Sequence, residues 1–111
     1  MAISYRNLNS VTATYTGTGS AIALDLGFVP SHVRAFDVTS GGDGWYWFAN
    51  QDGTTSTTRG VTEGLAIGTI SNGAGGITTL DGSAGTGIGL TVGTNTTINA
   101  TGHGYVVFAQ R

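Results

Sequence analysis

Glycine fills 20 of the 111 positions and interrupts nearly every stretch in which a helix could grow. Each interior glycine costs a helix about 1 kcal/mol relative to alanine, and no window carries a sustained 3.6-residue apolar repeat. The chain shows period-two alternation instead, the pattern of a half-buried strand. In Val11-Thr12-Ala13-Thr14-Tyr15-Thr16 apolar residues alternate with threonine, and Ile22, Leu24 and Leu26 alternate with Ala23 and Asp25. The expectation is an all-β chain with no helix beyond about two turns.

Turn signals divide the alternating segments. Gly17-Thr18-Gly19-Ser20 reads as a hairpin loop between the first two strands. Gly27-Phe28-Val29-Pro30 breaks the second, because Pro30 cannot donate to a ladder. A strand resumes over 33–38, and Gly41-Gly42-Asp43-Gly44 turns into the aromatic run Trp45-Tyr46-Trp47-Phe48, which Asn50-Gln51-Asp52-Gly53 closes. Residues 54–63 are polar and read as a long surface loop. Short strands are expected over 65–70, 77–80 and 88–92, with turns at 72–76 and Asp81-Gly82. Gly93-Thr94-Asn95 makes another turn before 96–99, and 104–110 is the last strand. About eight or nine short strands at this spacing predict a single-domain β-sandwich or jelly-roll-like fold. One domain spans 1–111, with 1–10 a candidate N-terminal arm.

Charge is scarce. Charged residues make up 9% of the chain, against about 25% in an average soluble domain. There is no lysine, and Arg6, Arg34, Arg59 and Arg111 are scattered. With a net charge of -2, no electrostatic footprint for nucleic acid or an anionic membrane is expected. The longest apolar runs, 45–49 and 105–109, are far shorter than the roughly 20 residues of a membrane-spanning helix. Met1-Ala2-Ile3-Ser4-Tyr5-Arg6 lacks the basic region and apolar stretch of a signal peptide, so synthesis without export from the cytoplasm is expected. Without cysteine, neither a disulfide framework nor a thiolate metal site is possible. A neutral surface of hydroxyl groups and backbone offers little repulsion between copies. It suits a protein packed against itself or a larger partner.

Residues that could carry chemistry are few. Asp43, Asn50, Asp52 and Asp81 are oxygen donors suited to calcium, but all lie in glycine turns, where Asp and Asn are favoured for backbone reasons. His32 and His103 could act as general bases. Glu63 is the only glutamate, so paired-carboxylate chemistry would fall to aspartates. No glycine segment completes a phosphate-binding fingerprint. The Asn95 and Asn99 sequons are expected chance matches in so threonine-rich a chain. The expectation is therefore no enzyme, no cofactor and no metal. The aromatic run is the sharpest local feature. On a strand, Trp45 and Trp47 point to one face and Tyr46 and Phe48 to the other. One pair would serve the core, and the other a subunit contact or a platform for sugar.

Four motifs carry a resemblance: Tyr15-x-Gly17-x-Gly19, Gly27-Phe28-Val29-Pro30-x-x-Val33, the Trp45–Trp47 strand, and Asn99-x-x-Gly102-x-Gly104-Tyr105. Together they span about 15–109, and the chain resembles a β-sandwich module of tailed-bacteriophage virion proteins. The resemblance implies a non-catalytic subunit located in the virion. The first expectation is a capsid decoration (cement) protein that stabilises the shell. It would bind the major capsid protein or another virion protein, and itself as a homo-oligomer, a trimer first. Candidate contacts are Trp45, Tyr46, Trp47 and Phe48, with Ile3, Tyr5 and Leu8 of the arm. The alternative is a tail or fibre component that binds carbohydrate or host receptor through Asp43, Trp45, Trp47, Asn50 and Asp52.

Overall fold

The computed structural model describes residues 1–40, 44–48, 58–63, 68–71, 75–83, 85 and 87–111, with 58–63 and 68–71 described by their backbone. The strands are β1 (Ala2–Arg6), β2 (Ser10–Thr16), β3 (Ile22–Asp25), β4 (His32–Asp37), β5 (Gly44–Phe48), β6 (Thr58–Glu63), β7 (Gly68–Ser71), β8 (Ile77–Asp81), β9 (Ile88–Val92) and β10 (Gly104–Gln110). They form two antiparallel sheets in the orders β1-β2-β10-β4-β5-β6-β7 and β3-β9-β8. Eight of them, five in the large sheet and three in the small, have described side chains. The chain is all-β and sandwich-like, as the alternation predicts, and no helix occurs among the described residues.

The period-two pattern translates directly into layers. Val11, Ala13 and Tyr15 of β2 face inward, as do Tyr105, Val107 and Ala109 of β10, Val33 and Ala35 of β4, and Trp45 and Trp47 of β5. Leu24, Leu90, Val92 and Ile77 of the small sheet meet them. Removing this apolar surface from water, at roughly 25 cal/mol per Å2, drives the two sheets together. Trp45 donates its indole N–H to the Tyr15 hydroxyl at 2.9 Å, while the buried Trp47 Nε1 has no hydrogen-bond partner among the described residues.

Five expectations change. Gly17-Thr18-Gly19-Ser20 is no hairpin loop: β2 pairs with β1 and β10, whereas β3 pairs with β9. The segment crosses between sheets, which sequence alternation cannot distinguish from a hairpin. Residues 58–63 form β6, paired with β5 and β7, so the expected surface loop over 54–63 is strand in its second half. Polarity there misled, because a strand near the end of a sheet can be satisfied by backbone ladder bonds alone. The expected strand over 65–70 is β7 over Gly68–Ser71, and residues 65–67 lie outside the described set. The 96–99 segment is a turn, in which Asn95 Oδ1 accepts the Thr97 N–H at 2.8 Å and Asn95 O accepts the Asn99 N–H at 3.0 Å. The N-terminal residues form β1, the outer strand of the large sheet, with all five residues exposed.

Candidate binding surface

The outer face of the large sheet follows from the inner one by alternation. The register aligns Tyr5, Thr12, Phe108, Arg34 and Tyr46 in one row across β1, β2, β10, β4 and β5. A second row holds Thr14, Val106 and Phe36, and a third Ser10, Gln110, His32 and Phe48. A bulge in β1 between Ile3 and Tyr5 sets Tyr5 on this face and Ile3 opposite the inward Ala13. Phe36, Phe48 and Phe108 are 38%, 42% and 45% exposed, large for phenylalanine. Phe36 and Phe108 meet edge to face at 6.1 Å, the His32 and Tyr46 rings lie nearly parallel at 6.2 Å, and Arg34 lies over the Phe36 ring at 4.9 Å. Such pairs hold rings in fixed orientations. Among the described residues of this face, Arg34 is the only formally charged side chain. The result is a preformed aromatic surface on rigid strands.

Polar chemistry concentrates elsewhere, at the end of the sandwich where 17–20, 37–40 and 93–104 meet. Asn99, fully buried, uses all its amide capacity. Its Nδ2 donates to Ser20 O at 2.6 Å and Gly93 O at 2.8 Å, and its Oδ1 accepts from the Thr18 and Gly19 N–H groups at 2.7 and 3.3 Å. Gly17 passes so close to Ala100 that a Cβ would fall 2.0 Å from the Ala100 carbonyl oxygen. Gly102 has φ +82°, a conformation that favours glycine, and donates to Gly17 O at 2.9 Å. Tyr105 donates to Thr97 O at 3.1 Å and stacks on Tyr15 at 4.6 Å, and Tyr15 donates to Ile98 O at 2.7 Å. Burial drives the Tyr15 hydroxyl far above its ordinary pKa, so it serves as a neutral donor.

Asp37 ends β4 facing inward, 4% exposed. Its Oδ1 accepts the Thr39 and Ser40 N–H groups at 3.0 Å each, and its Oδ2 lies 2.6 Å from His103 Nδ1. Burial pushes this carboxyl up, but the bonds from His103, Ser40 and Thr39 outweigh it and hold the pKa below the ordinary value. The pair joins the end of β4 to the approach to β10. Among the described residues, no hydroxyl is hydrogen-bonded to the other His103 nitrogen to complete a nucleophile arrangement.

The predicted site residues separate. Trp45 and Trp47 are 0% and 2% exposed and offer no face to a sugar or a subunit. Tyr46 and Phe48 lie on the outer face. Ile3 and Tyr5 lie on β1, and Leu8 is at the tip of the β1–β2 turn, 82% exposed. Asp43, Asn50 and Asp52 lie outside the described residues. Asp81 Oδ1 accepts the Ser83 N–H at 2.9 Å within its own turn. His32 stacks on Tyr46 on the outer face, and His103 is spoken for by Asp37. The buried Asn99 offers no side chain for glycosylation. Sequence reasoning missed Phe36 and Phe108. Their signal was present in the alternation of β4 and β10, where Val33 and Ala35, and Tyr105, Val107 and Ala109, occupy one phase and the phenylalanines the other. Comparison with protein-family models, with curated proteins and with solved structures finds no match to this chain.

Proposed function

We propose that the chain is a non-catalytic structural subunit of a tailed-bacteriophage particle, a capsid decoration protein that binds the shell through the outer face of its large sheet. The observation that carries this reading is the cluster of exposed Phe36, Phe48 and Phe108 with half-buried Tyr46, held on strands and nearly uncharged. Aromatic anchors of this kind dominate protein contacts. The motifs shared with virion modules fit a stable scaffold: Asn99, Gly17, Gly102 and Tyr105 staple one end of the sandwich, and Phe28, Pro30 and Val33 bury the link from β3 to β4. The large polar side chains at that end are engaged in holding the fold.

The test is to strip the protein from particles, heat them, and add it back at low and high salt. A ligand that binds only the assembled shell stabilises it by mass action, so particles lacking the protein should break at lower temperature. Because apolar burial survives salt, rebinding should be only weakly salt-dependent. Unchanged particle stability would overturn the cement role. A tail or fibre sugar-binding module would then be the outcome to examine, with stacking left to Tyr46 and Phe48.

A further inference from the structure

We propose that β1 is a self-pairing edge, through which two copies of this chain join antiparallel about a two-fold axis perpendicular to the sheet. This goes beyond the shell-binding reading and stands or falls separately from it. β1 is hydrogen-bonded on one side only, to β2. All five of its residues are exposed and none belongs to the core, so β1 does not close the sandwich of its own chain. Yet it displays Ile3 and Tyr5, 39% and 57% exposed, on opposite faces.

An open edge is normally guarded by charge, proline or a bulge that twists it away. The two edges of the small sheet have such a guard, since β3 ends in Asp25 and β8 in Asp81. β1 carries no acid, no lysine and no proline, and its bulge leaves Ile3 and Tyr5 displayed on opposite faces. β7, the other edge of the large sheet, likewise has none of these residues, but only its backbone is described, so the edge of that sheet with described, exposed side chains is β1. Its one charge, Arg6, reaches back to the Asp25 carbonyl at 3.4 Å on its own chain. The bulge residue Ser4 likewise turns its hydroxyl inward, donating to Thr12 O at 3.0 Å.

Charge placement and the register select a second copy as the occupant. Setting Tyr5 against Ala2 of the second copy keeps both on the outer face, since Ala2 pairs with Thr14 and Tyr5 with Thr12. It also separates the two Arg6 positions by about 17 Å at the usual strand rise, beyond the roughly 8–10 Å screening length near physiological salt. The aromatic row from Tyr46 to Tyr5 would then run across the axis into the second copy. An antiparallel edge contact is isologous and closes at two, so the geometry favours a dimer over the trimer expected from the sequence.

Sedimentation velocity of the full chain over rising concentration tests this. The expected result is a monomer–dimer equilibrium that persists at high salt. Ile3→Lys, and independently Tyr5→Glu on the opposite face, should abolish the dimer while circular dichroism and melting temperature stay unchanged, because β1 contributes nothing to the core. Phe48→Ser, on β5 away from the edge, should leave the dimer intact. A monomer or a trimer of the unaltered chain, a dimer that survives both β1 substitutions, or a dimer dissolved by Phe48→Ser would each overturn the proposal.

Discussion

On its inner face the large sheet presents Trp45 and Trp47 of β5, Tyr15 of β2 and Tyr105 of β10; on its outer face it presents Tyr46 and Phe48 of β5, Phe36 of β4 and Phe108 of β10. The allocation within β4 and β10 is informative. β4 buries Val33 and Ala35 and exposes Phe36, and β10 buries Val107 and Ala109 and exposes Phe108. The small inward residues leave room for the two indoles of β5, and the outward phenylalanines remain available to a partner. One set of rings holds the domain together, and the other is displayed.

The largest effect should come from removing an inner ring. Trp45→Ala is expected to destabilise the isolated chain by about 3–5 kcal/mol, a large share of a typical ~5–15 kcal/mol. It also strips the Tyr15 hydroxyl of its indole donor. Chemical denaturation measures this, and a cost below about 1 kcal/mol would break the distinction between the faces.

Next in size is Asn99→Ala, expected to cost about 2–4 kcal/mol by leaving the Ser20 and Gly93 carbonyls and the Thr18 and Gly19 N–H groups without their partner. The unfolding midpoint reads it. A negligible change would mean that Gly17, Gly102 and the tyrosine pair hold that end without Asn99.

Acid should affect the inner face through Asp37. Its folded pKa lies below the ordinary 3.8, so its contribution is fully present above that value and is lost as pH falls through the folded pKa. Melting temperature should therefore drop with acid below about pH 4, and Asp37→Asn should flatten that drop while lowering stability at neutral pH by about 1–3 kcal/mol. Asp81, also held low by its bonds to Ser83, titrates in the same window, so the difference between the two proteins is the quantity to compare. Equal acid slopes would show that the Asp37–His103 pair does not contribute.

Much of this architecture was legible in the chain. Strands β2, β4, β5, β8, β9 and β10 follow from alternation and glycine punctuation, and the phase of Trp45 and Trp47 against Tyr46 and Phe48 was fixed by period two alone. Which phase faces inward was not, because that depends on what packs across the sandwich. For the same reason the alternation alone does not tell whether Phe36 or Val33, and Phe108 or Val107, face inward. The crossing at 17–20 was misread because local sequence records a turn but not the sheet to which the next strand belongs. Asn99 was visible as a motif residue, yet three of its four hydrogen bonds reach residues about 80 positions away in sequence, beyond the reach of local pattern.

The smallest effect on stability should accompany the largest effect on binding. Phe36→Ser and Phe108→Ser each remove a ring that is more than a third exposed and lies outside the core cluster. Exposed substitutions of this kind stay within about 0.5 kcal/mol, and losing the edge-to-face contact between the two rings adds at most about 0.5–1.5 kcal/mol. The isolated variants should therefore melt within a few degrees of the unaltered chain. If the displayed rings are the anchors of a contact, the same substitutions should weaken association with stripped particles far more, since buried aromatic anchors typically cost 2 kcal/mol or more on truncation. Measuring both quantities on the same samples separates the alternatives. Intact folding with lost binding supports a displayed face. Lost folding would place these rings in the structural set with Trp45, and unchanged binding would move the shell contact to another surface of the molecule.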